Sequence, residues 1–268
     1  MRCTSLLFHD VLPDGQWQAS GFSGADANAY KMHTDEFRRH LETVARGLRR
    51  RVTTGPELLA NPVTDHPLTF TFDDGGESAL HTADVLDEFG WKGHFFVTGG
   101  RIGTPGFLDR GQIQEMWRRG HIIGSHSYTH PLRMAICSKA QLDDEWGRSC
   151  EVLSEIVGEP IRVASVPGGL YSRAVASSAA KAGLRLLFNS EPVTQSHMVD
   201  GCLVLGRFYV MRGHDPNRSA ALVAGDPQLK MREYLFWNSK KVGKKVLGSV
   251  WLKARVLWME HQARKEQS

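Results

Sequence analysis

Two periods of hydrophobic patterning alternate along this chain. Short apolar runs at 68–72 (LTFTF), 94–97 (HFFV), 121–125 (HIIGS), 162–166 and 184–189 predict strands, and 5–8 and 203–210 predict two more. Between them the spacing turns helical, over 78–89, 109–119, from Ser138 onward, and from Ser172 to about Ala182. Ser138 and Gln141 fit a capping box at the start of the longest helix, whose Leu142, Trp146, Leu153 and Val157 share one stripe. Gly183 marks the stop of the next helix. Strands alternating with helices imply a parallel sheet with right-handed crossovers. Six or seven such units in about 200 residues fit a closed or nearly closed (β/α) barrel better than an open sheet, and in either case the chemistry sits at the C-terminal strand ends.

Composition changes this picture little. Of 268 residues, 41% are hydrophobic and 23% charged, the balance of a soluble globular protein. No apolar run approaches the roughly 18 to 20 residues that span a bilayer. The N-terminus lacks the basic and apolar regions of a signal peptide, so a cytoplasmic protein is expected. The four cysteines, Cys3, Cys137, Cys150 and Cys202, are scattered, which predicts reduced, structural thiols.

Charge is uneven. Between Lys230 and Glu266 ten Lys/Arg face three acids, so the tail carries more than the whole net charge of +4. No nucleic-acid recognition module accompanies it. Leu247, Val250, Trp251, Ala254, Leu257 and Trp258 form a helical stripe there. The expected domains are therefore a barrel over 1–225 and a basic amphipathic helical extension over 226–268. Packing of that extension across the barrel is the plainer expectation; contact with an anionic membrane or a glycan-synthesis enzyme is the alternative.

Four predicted strands end in polar clusters. The 68–72 strand runs into Asp73-Asp74-Gly75-Gly76, the 121–125 strand into His126-Ser127-Tyr128-Thr129-His130, the 162–166 strand into Pro167-Gly168-Gly169, and the first strand into His9-Asp10. Adjacent carboxylates are costly to hold together unless a cation or a proton separates their roles, although Asp-Gly is also a common turn. Histidines four apart lie on one side of a helical turn; alone, such a pair is more often surface than site. Two histidines with a carboxylate make a facial set that leaves metal positions open.

TFDDG (Thr71 to Gly75) and HSYTH (His126 to His130) resemble the first two motifs of the polysaccharide deacetylase family, also called the NodB-homology or carbohydrate esterase 4 family. The resemblance implies a distorted or incomplete (β/α) barrel of about seven strands, with a helical C-terminal extension following it here. It also implies that Asp74, His126 and His130 hold a divalent metal, most readily zinc with cobalt, nickel or manganese as alternatives, and that Asp73 is the catalytic base. Two features depart from the family pattern. Its third motif, Arg-x-Pro-x-Gly, is Ser165-Val166-Pro167-Gly168-Gly169 here, so Ser165 stands where the arginine that steadies the base would be. Its last motif, an apolar strand ending in an acid histidine, is not evident near the C-terminus. Leu6-Leu7-Phe8-His9-Asp10 resembles that motif at the start of the chain, as in the family's permuted poly-N-acetylglucosamine deacetylase branch, and this makes His9 the expected general acid.

The implied activity is metal-assisted hydrolysis of an N-acetyl group from a carbohydrate, with Pro167, Gly168, Gly169 and Tyr128 as expected substrate contacts. The alternatives are a sugar-binding or scaffold protein with little turnover, for which Ser165 is the argument, and a deformylase or amidase acting on another non-peptide C–N bond. His94, inside an apolar strand, is expected to be a core histidine.

Overall fold

The computed structural model describes residues 1–13, 15–60 and 66–239. In chain order, β1 (Thr4–Phe8) and β2 (Val11–Leu12) are followed by α1 (Ala25–Asn28), β3 (Met32–His33), α2 (Thr34–Gly47) and α3 (Gly55–Ala60). The repeating part comes next: β4 (Leu68–Phe72), α4 (Ala79–Glu88), β5 (Gly93–Val97), α5 (Arg110–Arg118), β6 (Ile122–Ser125), α6 (Lys139–Val157), β7 (Val163–Ser165), α7 (Arg173–Lys181) and β8 (Leu186–Phe188). The chain then forms β9 (His197–Val199), β10 (Cys202–Leu205), β11 (Phe208–Tyr209) and α8 (Pro216–Ala224), and a last helix runs over 227–239.

One sheet takes the order β11-β1-β4-β5-β6-β7-β8-β10-β9 and curls into a half-barrel, while β2 and β3 pair separately. Within the larger sheet every pairing is parallel except β10 with β9. The first strand is thus an interior one, with Leu7 opposite both Thr71 of β4 and Tyr209 of β11. The end of β1 is thereby set beside the end of β4.

Strands β1, β4 and β5 are buried along their whole length, which explains their continuous apolar pattern. Helix α6 starts at the capping box formed by Ser138 and Gln141, and Leu142, Trp146, Leu153 and Val157 are all buried in the main core. Ser172 caps α7. His94 is a core residue: its Nε2 accepts from Gly55 N at 2.7 Å and its Nδ1 donates to Phe70 O at 2.9 Å. The cysteines are unpaired, and burial pushes Cys3 up to about 11 and Cys150 and Cys202 up to about 12.

Two regions differ from the sequence reading. The segment before β4 holds a long helix, α2, which buries Phe37, Leu41 and Val44 and packs against α8. The single strand expected over 203–210 is broken into β10 and β11, because Gly206 and Arg207 leave the strand conformation between them. Of the basic extension, the structure describes only the helix over 227–239; the stripe from Leu247 to Trp258 lies outside the described residues. Among the described residues no helix is long and apolar enough to cross a membrane.

Candidate active site

The C-terminal ends of β1, β4, β6 and β7 converge on one buried cluster. Asp74 follows β4 with φ of 81°, and His130 closes the loop after β6 with φ of 62°. Left-handed backbone at a non-glycine residue is costly and is held only where the surroundings fix it. Glu145 of α6 supplies part of that fixing. Its carboxylate accepts from Tyr128 N and Thr129 N at 2.8 Å each, and from the Thr129 hydroxyl.

These bends bring three ligand-type atoms together. Asp74 Oδ1 lies 3.4 Å from His126 Nε2 and 3.4 Å from His130 Nε2, and the three atoms fall within 4.8 Å of one another. The hydrogen bonds behind them decide the proton positions. Ser165 Oγ donates its one proton to Asp73 Oδ1 at 3.0 Å, so His126 Nδ1, 2.6 Å from the same hydroxyl, must donate to it. His126 Nε2 then faces the Asp74 carboxylate, toward which it can hold a proton or, without that proton, offer a lone pair to a metal. Electron-rich atoms facing each other across a buried pocket need a cation or a proton between them, and one carboxylate with two imidazoles suits a zinc-like divalent ion. The donor set therefore fits the expected metal.

Asp73 stands beside this set and is held differently. Arg207 grips it with both ends of the guanidinium, Nη1 to Oδ1 at 2.7 Å and Nη2 to Oδ2 at 2.8 Å, while Nε donates to Asn189 O at 2.9 Å. Both side chains are buried. Burial would raise the Asp73 carboxyl's pKa, but the Arg207 charge, followed by that of His126, reverses this and holds it below the usual carboxylate range. For Asp74, burial is again opposed, here by hydrogen bonds from His126 and His130 and by the charge of His9, and the carboxyl is held well below its ordinary value.

Arg207 answers the question that Ser165 raises. The arginine comes from the break between β10 and β11 rather than from the strand end before Pro167, and Ser165 links His126 to Asp73 instead. One sequence signal could have revealed it: in LVLGRFYV a lone cation sits inside an otherwise apolar stretch, which is too costly to bury without a partner.

His9, at the end of β1, is half-buried, its ring 4.8 Å from that of Tyr30, and its Nδ1 is buried without a hydrogen-bond partner. Its charge reaches both Asp73 and Asp74. Asp10, beside it, accepts from Ser20 Oγ at 2.5 Å and Ser78 Oγ at 2.8 Å. Burial, with the nearby Asp74 charge, raises the Asp10 carboxyl's pKa despite those bonds.

The expected substrate contacts are spread more widely. Pro167, Gly168 and Gly169 form a short turn at the end of β7, with Gly168 exposed and Gly169 against Ser190 and Trp237. The Tyr128 ring lies 3.8 Å under the Arg148 guanidinium and against the Gly99-Gly100 turn.

Residues 60–187 match the polysaccharide deacetylase family model. The match takes in just under half of the chain and includes both TFDDG and HSYTH. The peptidoglycan-N-acetylmuramic acid deacetylase PdaA of Bacillus subtilis is 31% identical over 121 residues, 44% of this chain and 44% of that protein. A chitooligosaccharide deacetylase of Bradyrhizobium is 30% identical over 118 residues, 42% of this chain and 51% of that one. The chain thus spans about half the length of the curated relatives it matches. The deacetylase fold extends further than the sequence match. The Streptococcus pyogenes deacetylase PplD, in complex with acetate, superposes with a TM-score of 0.68 over 85% of this chain and 99% of that one, at 18% identity. All of the cluster's motif residues Asp73, Asp74, His126, His130 and Ser165 lie inside the family match, whereas His9 and Arg207 lie outside it.

Proposed function

We propose that this chain is a metal-dependent N-deacetylase that hydrolyses the acetamide of an N-acetylated carbohydrate. The observation that carries the reading is the division of labour between two adjacent carboxylates. Asp74 faces two imidazoles at 3.4 Å, while Asp73, 3.9 Å from that of His126, is gripped in the fork of a buried arginine. A structural pair of aspartates would have no use for such opposed settings.

Asp74, His126 and His130 would hold the divalent cation, for which zinc is the best match of ligand type. When bound, such an ion acidifies water and polarises a carbonyl oxygen. Asp73, kept ionised by Arg207 and oriented by Ser165, accepts the proton of the attacking water. A backbone N–H near the turn after β4 would share the negative charge that develops on the acetyl oxygen. His9, on the adjacent strand end, gives a proton to the sugar nitrogen, which is a poor leaving group unprotonated. Products are acetate and the free amino sugar.

The names of the matched relatives, on peptidoglycan N-acetylmuramic acid and on chitooligosaccharide, support an N-acetylhexosamine polymer or oligomer as substrate. A sugar-binding protein without turnover is the alternative suggested by the missing third-motif arginine; Arg207 in contact with Asp73 supports the enzyme instead.

Acetate release from N-acetylglucosamine oligomers, measured with zinc titrated into chelator-stripped protein, tests the reading. Activity should appear with about one equivalent of metal, and Asp74→Ala should lose both calorimetric metal binding and turnover. A metal-free Asp74→Ala protein that still releases acetate would sink it.

A further inference from the structure

Residues 15–31 run between β2 and β3 and pass beside the candidate site as a strap, wholly outside the stretch that matches the family model. Polar anchors fix its course. The buried Lys31 ammonium donates to Trp17 O and Ser20 O at 2.6 Å each, and Gly21 N donates to Gly106 O at 2.8 Å. Ser20 Oγ bonds the buried Asp10 and accepts from Ser78 N at 2.8 Å. The strap lies so close to Asp10 that a Cβ on either Gly21 or Gly76 would collide with that carboxylate.

Two aromatic rings are delivered by this course, one to each side of the carboxylate pair. Phe22 stands 4.6 Å from the ring of His130, backed by Phe107 at 5.1 Å and by the Arg101 guanidinium at 5.5 Å. Tyr30 stands 4.8 Å from the ring of His9. Both rings are half-buried, so each keeps an accessible part beside an otherwise polar pocket. His130 follows β6 and His9 follows β1, with β4 and its two aspartates between them in the sheet. The rings therefore flank the place where the scissile acetamide must sit.

We propose that Phe22 and Tyr30 are the specificity walls of the site, receiving the pyranose ring that carries the N-acetyl group and selecting sugars over small acyl compounds. A hexosamine in its chair form presents axial C–H groups on one face, and flat aromatic surface is the complement that such a face stacks on. A simple amide or ester has the acyl group but no such face, so it gains little from either wall. The anchors behind the strap hold the rings in place before substrate arrives, which limits the ordering cost of binding. This inference rests on the deacetylase reading above.

The test compares wild type, Phe22→Leu and Tyr30→Leu, which keep apolar bulk, on an N-acetylglucosamine oligomer and on 4-nitrophenyl acetate. Each variant should lower the ratio of glycan to aryl-ester kcat/KM by about tenfold, chiefly through KM for the glycan. In an Asp73→Asn background the same substitutions should raise the calorimetric Kd for the oligomer by a similar factor. Equal losses on both substrates, or an unchanged Kd, would mean that the rings merely support His130 and His9 and would overturn the proposal. If wild type hydrolyses the aryl ester but neither binds nor cleaves the glycan, the deacetylase reading itself has failed. If wild type cleaves the glycan and the ratio stays put in both variants, only the specificity walls are refuted.

Discussion

Replacing Arg207 isolates the contribution of the buried ion pair. In Arg207→Met the Asp73 carboxylate keeps its burial and its neighbour Asp74 but loses two short bonds, at 2.7 and 2.8 Å, retaining only the Ser165 hydroxyl at 3.0 Å. Removing one partner of a buried pair costs about 3–5 kcal/mol, because the remaining charge is uncompensated. Asp73 escapes part of that cost by binding a proton, and its pKa rises from below the ordinary carboxylate range to above it. The sign follows from linkage. The pair stabilises the fold above the unfolded carboxylate pKa, and this contribution fades as acid protonates Asp73, so the variant's stability deficit should be largest at neutral pH and shrink in acid. In catalysis a protonated base is inactive, so kcat should fall by about 10²-fold or more, with the acid limb of the pH–rate profile moved to higher pH. Arg207→Lys should fall between, since a lysine keeps the charge but not the two-pronged geometry. Adding Ser165→Arg to Arg207→Met should recover part of the loss by restoring an arginine at the family's third-motif position. Acetate release across pH, with urea unfolding of the apo protein, reads all of this. A wild-type kcat/KM and an unmoved acid limb in Arg207→Met would refute the role given to the arginine.

Other outcomes follow from the same structure. His40, His94 and His121 are each pushed down to about 4 by burial, so they are neutral when folded and stability should fall from about pH 6.5 toward pH 4 as the unfolded chain takes up protons. For fully buried His94 alone this amounts to about 3 kcal/mol, and thermal melts across that range would show it; a flat profile counts against neutral burial. Glu145→Gln should weaken zinc binding about 10- to 100-fold by loosening the 126–130 loop, as read by competition with a chromogenic chelator. Gly76→Ala, which drives a methyl into Asp10 and Ser20, should cost about 1–3 kcal/mol in urea unfolding and raise KM for the glycan by displacing the strap.

The repeating barrel was legible because its strands are buried on both faces and its helices are amphipathic, so 68–72 and 94–97 stand out as apolar blocks. The candidate ligand set was legible because two motifs keep its members within a few residues of strand ends. Helix α2 also carried a readable stripe, with Phe37, Leu41 and Val44 at helical spacing, but no strand–helix rhythm surrounds it to draw attention. Arg207 was harder for a physical reason. Its meeting with Asp73 is a tertiary fact, fixed only when β11 lies beside β1 and the chain leaves the strand conformation at Gly206 and Arg207. The aromatic walls are harder still, since apart from the four-residue α1 the strap has no regular periodicity, and only the buried anchors Asp10 and Lys31 show where it goes.

The place of β1 inside the sheet also bears on the order in which the protein assembles. During synthesis the strand carrying His9 leaves the ribosome before both of its neighbours and must wait for β4 on one side and β11 on the other. Asp73 and Arg207 are 134 residues apart, so a nascent chain that has laid down the strands through β8 still holds an uncompensated acid in its interior. Contacts of such long range form late and slowly. The last pairing to close, β11 onto β1, is thus also the step that brings Arg207 to the proposed base Asp73, and a chain stalled before it would be compact but without that ion pair.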